Sequence, residues 1–164
     1  MALIEACEKK DNLLYTEPAL NLVDKLLSKK HTEEERENLF NQEQGLLYSV
    51  VAYYTNNDTT NWNKVEAYNE ARLKNIEKTG NQKRTAEFLF HIAAISLDGK
   101  KDSAMFFTNM YKSVAIFNEI KDSAYIVYGY RFISSFSRSA GNFTKAFESV
   151  RSSIAICQQP CSIS

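Results

Sequence analysis

Two arginines, Arg131 and Arg138, stand in a stretch of chain that is otherwise Tyr, Phe, Ile, Val and small residues, with Ser135 between them. In a helix their i, i+4, i+7 spacing puts the three on one face, one above another. Two guanidinium groups flanking a hydroxyl can hold a carboxylate or a phosphate through charge-assisted hydrogen bonds. Tyr128, one turn before Arg131, can flank a bound chain. Two other segments carry matching polar lines: Arg84, Glu87, His91 and Asp98 in one, Asn41, Gln44, Tyr48 and Thr55 in the other. Read singly, each such residue is the solvated side of a helix. What the lines suggest together is recognition of an anion or a polar chain.

Residues that carry covalent or metal chemistry are sparse. His31 lies in a charged segment and reads as solvated, and His91 lies inside an apolar run as either a hydrogen-bonded structural histidine or a ligand contact. One histidine without a carboxylate pair at diagnostic spacing makes no metal site. The sequence has no G-x-G-x-x-G, P-loop, H-E-x-x-H or G-x-S-x-G pattern. The expectation is a protein without enzymatic activity, metal or cofactor. Cys7, Cys157 and Cys161 are odd in number, sit at the two ends and form no C-x-x-C, so neither a zinc cage nor a redox pair is suggested. The 9 Tyr and 10 Phe recur at helical spacing and read as core, with Tyr53, Tyr54 and Tyr128 as the exceptions.

The elements that hold these residues should all be helices. Only 5 Gly and 2 Pro punctuate 164 residues, which favours long helices over sheet. Apolar periodicity predicts seven helical segments, behind a short leading helix over Ala2 to Glu8. Thr16-Glu17-Pro18 starts one that runs through Leu20, Val23, Leu26 and Leu27 to Lys30. Thr32 with Glu35 is a capping box opening a helix to about Tyr54. After the polar loop Asn56 to Asn61, Trp62 opens a helix to Lys78 that stops at Gly80, a natural left-handed terminator. Trp62 should be at least half buried beneath that loop. Residues 82–97 follow, ended by Asp98-Gly99-Lys100. Ser103 and Ser123 are expected to cap the next two helices and Asn142 the last, which runs to about Cys157 before Pro160. Loops this short mean antiparallel neighbours.

Charge and hydropathy limit the partners. Net charge is zero, from 20 basic and 20 acidic residues; residues 1–60 carry 6 against 11 and residues 61–164 carry 14 against 9. This asymmetry reads as compensation within one fold, and no basic run is dense enough for nucleic acid. No apolar run approaches the roughly 18 residues of a membrane span, and Met1 to Lys10 lacks the order of a signal peptide. The expected setting is cytoplasmic, with neither nucleic acid nor membrane as partner.

The chain also repeats itself. Lys101-Asp102-Ser103-Ala104 returns as Lys121-Asp122-Ser123-Ala124, and Ser113-Val114-Ala115-Ile116 returns as Ser153-Ile154-Ala155-Ile156 forty positions on. Periods of this size mean stacked helical hairpins. Gly141-Asn142-Phe143-x-x-Ala146, followed by Ser153-Ile154-x-Ile156, resembles the second helix of a tetratricopeptide repeat. Tyr130, Ile133 and Ser134 then match the first helix of that pair. Phe90, Ala93, Ala94, Phe106, Ser113, Val114 and Ile116 form an earlier copy. Leu47, Val50, Val51, Tyr54, Trp62 and Leu73 form a weaker third. Ser137 departs from the family's usual aromatic, and Phe106 replaces its small residue, so the middle hairpin should be splayed or shifted. The spacing near forty is longer than the common unit of about 34 and is similar to the family's long-helix branch.

The resemblance implies an all-α fold, a right-handed superhelical stack of antiparallel hairpins with about seven helices. It would be one domain over 1–164, with N-terminal helices to residue 31 and pairs at 32–80, 81–121 and 122–158. It also implies a concave groove lined by the first helix of each pair, where Tyr48, His91 and Arg131 are equivalent. The groove residues would be Gln44, Tyr48, Glu87, His91, Tyr128, Arg131, Ser135 and Arg138, and the ligand a protein or peptide segment. A peptide-sensing regulator segment of a larger signalling protein is the alternative, and a secretion chaperone of this type is a second. On the last helix Lys145, Glu148, Ser149, Arg151 and Ser152 suit an exposed side. Ile154 and Ile156 occupy positions that normally pack on a further helix, so either a homodimer through this helix or a longer parent chain is expected.

Overall fold

The computed structural model describes residues 13–55, 61–97 and 102–158. The expected leading helix at Ala2 to Glu8, the loop at 56–60, the Asp98-Gly99-Lys100 stop, Pro160, Cys7 and Cys161 lie outside the described residues. Seven helices are described: α1 Leu13–Leu27, α2 Glu33–Thr55, α3 Trp62–Glu77, α4 Gln82–Ile95, α5 Ser103–Glu119, α6 Ser123–Ser139 and α7 Phe143–Cys157. Among the described residues there is no strand, and the fold is all-α.

Three of the helix junctions share one local design. The residue before the cap takes a left-handed conformation, and the following Asn or Asp caps the next helix. Gly80 has φ 69°, Lys121 59° and Gly141 75°. After them, Asn81 Oδ1 accepts the Arg84 N–H at 3.0 Å, an Asp122 carboxylate oxygen accepts that of Tyr125 at 3.4 Å, and Asn142 Oδ1 accepts that of Lys145 at 3.0 Å. The two later junctions also close with the paired bonds of a Schellman turn. Lys121 N–H donates to the Asn118 carbonyl and Asp122 N–H to that of Phe117; Gly141 and Asn142 do the same to Arg138 and Ser137. The cap before α6 is therefore Asp122 and not Ser123, because Asp122 already occupies the last non-helical position.

Two other starts test the sequence reading. Thr32 and Glu35 form the reciprocal capping box: the Glu35 N–H donates to Thr32 Oγ1 at 3.3 Å and the Thr32 N–H to Glu35 Oε2 at 3.0 Å. That backbone hydrogen bond holds the Glu35 carboxyl below its ordinary range. Helix α1 begins at Leu13, before the expected Thr16-Glu17-Pro18 start, so Pro18 lies inside it. A proline more than a turn in leaves the Leu14 carbonyl without its helical donor and crowds it, a loss confined to the start of the helix.

The described residues fall into two compact units. The first holds those up to Gly80 together with Ala94–Asp102; the second holds Asn81–Ala93 together with those from Ser103 on. In the first, α1 packs on α2 and α2 on α3, with Leu20, Val23, Leu27, Phe40, Leu46, Leu47 and Val65 buried. Trp62 is buried as expected, 4% exposed. One guanidinium ties the three helices together. Arg72 Nη2 on α3 donates to Asp24 Oδ2 at 2.6 Å and to the Leu20 carbonyl at 3.1 Å on α1, and lies 3.6 Å from Glu43 Oε1 on α2. His31 is not solvated. It is partly buried, and its Nε2 donates to the Leu26 carbonyl at 2.5 Å, closing the α1–α2 turn.

In the second unit α6 packs most extensively on α7 and next on α5. A Cβ added at Gly129 on α6 would collide with Cγ2 of buried Val114 on α5, so this glycine sets how closely the two backbones approach. Ala146, the small residue expected at the α6–α7 contact, is buried. Between α4 and α5 the backbones keep further apart, joined by Ser113 Oγ donating to the Ala86 carbonyl at 2.7 Å. Aromatic contacts fill the unit. Phe90 stacks on Tyr128 at 5.2 Å and meets Phe132 at 5.0 Å, Phe106 meets Phe136 at 4.9 Å, and Phe117 stacks on Tyr125 at 4.7 Å.

Candidate binding surface

Helix α6 positions the cationic row. Its buried residues Ile126, Gly129, Ile133 and Ser137 recur at three- and four-residue spacing and turn one face inward. Tyr128, Arg131, Ser135 and Arg138 lie on the opposite side, and all four are exposed. The fold thus brings these four together on one helical face. Arg131 and Arg138 are the only charged residues between Ser123 and Ser139. Among the described residues neither has an acidic partner. Seven residues separate them, about 10 Å along the axis at ~1.5 Å per residue. Arg138 sits in the last turn, where a cation also favours the helix dipole; Arg131, in mid-helix, has no such local role.

Tyr128 is half anchored. Its ring lies nearly parallel to Phe90, with 8° between planes, while the side chain stays 39% exposed. A rigid aromatic edge beside Arg131 follows from that stacking.

The other expected groove residues are placed differently. Glu87 and His91 on α4 are both 0% exposed and line no open surface. From Ala86 to Ser96 every residue of the chain is buried, so the polar line on α4 points into protein. Its two charges pair internally, Arg84 Nη1 lying 3.6 Å from Glu87 Oε2. Burying a charge is tolerated when it is paired. Periodicity alone cannot tell such a line from a groove, because both read as polar residues at helical spacing. Gln44 and Tyr48 on α2 are partly buried and belong to the first unit, while the α6 row belongs to the second. Asp98 lies outside the described residues.

Sequence reasoning passed over an open cleft of about 300 Å³ between α5, α6 and α7, lined by Tyr111, Val114, Asn118, Ile126, Tyr130 and Ile156. Val114, Tyr130 and Ile156, picked out as repeat positions, were its visible signal. Burial pushes the Tyr111 hydroxyl above its ordinary range. Among the described residues no group of three or more His, Cys, Asp or Glu is placed to hold a metal ion. No described helix is long and apolar enough to cross a membrane. The chain matches no family model, no curated protein and no solved structure.

Proposed function

We propose that this chain is a non-enzymatic module of the tetratricopeptide type that binds a peptide or protein segment, with α6 presenting the recognition face. The observation that carries this reading is the pair Arg131 and Arg138, exposed, without acidic partners among the described residues, and aligned with Ser135 and Tyr128. Two guanidinium groups held on a rigid helix are arranged for carboxylates or phosphates on an extended or helical ligand, by charge-assisted hydrogen bonds. The left-handed-residue-plus-Asx turns at Gly80 and Lys121, which end two successive expected pairs, support the repeat reading.

The test is an anisotropy titration of acidic, phosphorylated, neutral and basic peptides against the wild type and the Arg131→Ala/Arg138→Ala variant. Acidic or phosphorylated peptides should bind best, weakening as salt rises. The variant should lose at least roughly tenfold in affinity, the loss of about 1.4 kcal/mol, with melting unchanged because both side chains are exposed. Equal binding of all peptide classes, or a variant that binds like the wild type, would overturn the reading.

A further inference from the structure

The outward side of α7 is unlike that of α6. Phe143, Phe147, Val150 and Ile154 are exposed by 70%, 70%, 44% and 50%, and the exposed, free Cys157 follows one step on. The spacing is four, three, four, three, the seam of a two-helix coiled coil. At ~100° per residue these five fall within an arc of about 80°. Ala146 and Ser149, on the adjoining side, are buried, so α7 attaches to its own unit through another face. Scattered exposed apolar residues are ordinary, but four in register are a surface built for contact.

We infer that this stripe docks on the same stripe of a second copy of the chain, as an antiparallel, two-fold symmetric helix pair. The register suits a second copy. Phe147 and Val150, like Phe143 and Ile154, are centred on the same point between Glu148 and Ser149. A two-fold axis there sets each phenylalanine against a smaller aliphatic residue of the other copy. A parallel pair would set Phe143 on Phe143 and Phe147 on Phe147. Such an isologous contact uses one patch twice and closes on itself. Charge permits it. The chain carries 20 basic and 20 acidic residues, so net charge sets no long-range barrier between two copies, and exposed Arg151 flanks the stripe as part of its polar border.

The area fits a reversible dimer. With aromatic side chains of roughly 150–250 Å² each, the stripe offers on the order of 400 Å² of apolar surface per copy. Together with its polar border, that approaches the ~800 Å² per partner of a standard interface, a little over half of which is ordinarily apolar.

Sedimentation equilibrium from low micromolar to submillimolar concentration tests this. The wild type should pass from monomer to dimer mass, and Phe147→Glu should raise the dissociation constant at least roughly tenfold with helicity and melting unchanged. In chains whose native cysteines are replaced by Ser, mixing Phe147→Cys with Val150→Cys should give cross-linked dimer faster than either variant alone. A wild type that stays monomeric throughout overturns the inference, and so does a dimer indifferent to Phe147→Glu. Faster cross-linking within either single variant overturns the antiparallel arrangement. If Phe147→Glu loses helicity, Phe143→Ser, at an equally exposed position, carries the test with the same criteria.

Discussion

The two units solve the same problem, holding helices together, with different chemistry at the centre. In the first, α1, α2 and α3 converge on one guanidinium, Arg72, whose partners Asp24 and Glu43 come from the other two helices. In the second, α6 lays Tyr125, Tyr128, Phe132 and Phe136 against aromatic residues of α4 and α5, and the ion pair of Lys83 on α4 with Asp122 at the cap of α6, at 2.7 Å, lies at the part-exposed edge of that packing. An ionic tether specifies geometry and is costly to half-remove. An aromatic face supplies area and loses strength by the amount removed. The units should therefore fail differently under mutation.

The largest effect should come from the aromatic side. Phe106 is fully buried and meets Phe107 and Phe136. Phe106→Ala should destabilise by about 3–5 kcal/mol through lost transfer energy and a cavity. Adding Phe136→Ala enlarges the same cavity, so the double variant should be less stable than either single one. Denaturant unfolding of the three variants measures this. Recovery in the double variant would show that the rings do not act as packing area.

The ionic side should behave in the reverse sense. Arg72→Met leaves Glu43, 0% exposed, as a buried carboxylate stripped of its guanidinium, and should cost about 3–5 kcal/mol. Glu43→Leu placed on top removes that buried carboxylate, and the pair of changes should recover part of the loss, as replacing both ends of a buried ion pair often does, while the part-exposed Asp24 still lacks the guanidinium. The same unfolding measurement gives the coupling between the two sites. A double variant as unstable as Arg72→Met alone would mean that Arg72 works by its packed stem and its bond to the Leu20 carbonyl, not as a counter-ion.

How far the sequence could be read follows from how local each cause is. Thr32 with Glu35, Gly80, Gly141 and Asn142 act within four residues of themselves, and each does what its residue type implies. The cationic row of α6 was legible too, since one helix places it. Arg72 was not, because its side-chain partner Asp24 lies 48 residues away and nothing near Arg72 announces it. Glu87 and His91, expected in a groove, are buried, which was not legible for a related reason: what covers α4 comes from distant chain, and polarity at helical spacing is silent about that. On α7, Ser149 was placed on the exposed side, yet it is buried and its Oγ donates to the Lys145 carbonyl at 2.8 Å. Its hydroxyl is satisfied by its own helix, so its burial costs little. The exposed Phe143 and Phe147 are the counterpart, since aromatic residues at helical spacing read as core whichever side they face.

The smallest expected effect lies at the one junction whose residue type defies its conformation. Lys121 takes the left-handed place that glycine takes at Gly80 and Gly141, and Cβ crowding there costs an L-residue roughly 1–2 kcal/mol. Its side chain is exposed, so little packing is lost on truncation. Lys121→Gly removes the crowding but also gives the unfolded chain more freedom, an opposing effect of about 0.5–1 kcal/mol. The net expectation is a gain of a few tenths to about 1 kcal/mol, read as a small rise in melting temperature. Gly141→Ala at the matching turn should move the other way by about 1 kcal/mol, since a Cβ added there meets nothing within 4 Å and only the backbone conformation penalises it. If both substitutions shift stability in the same direction, the two turns are not the same structure, and the equivalence of the junctions before α6 and α7 fails with them.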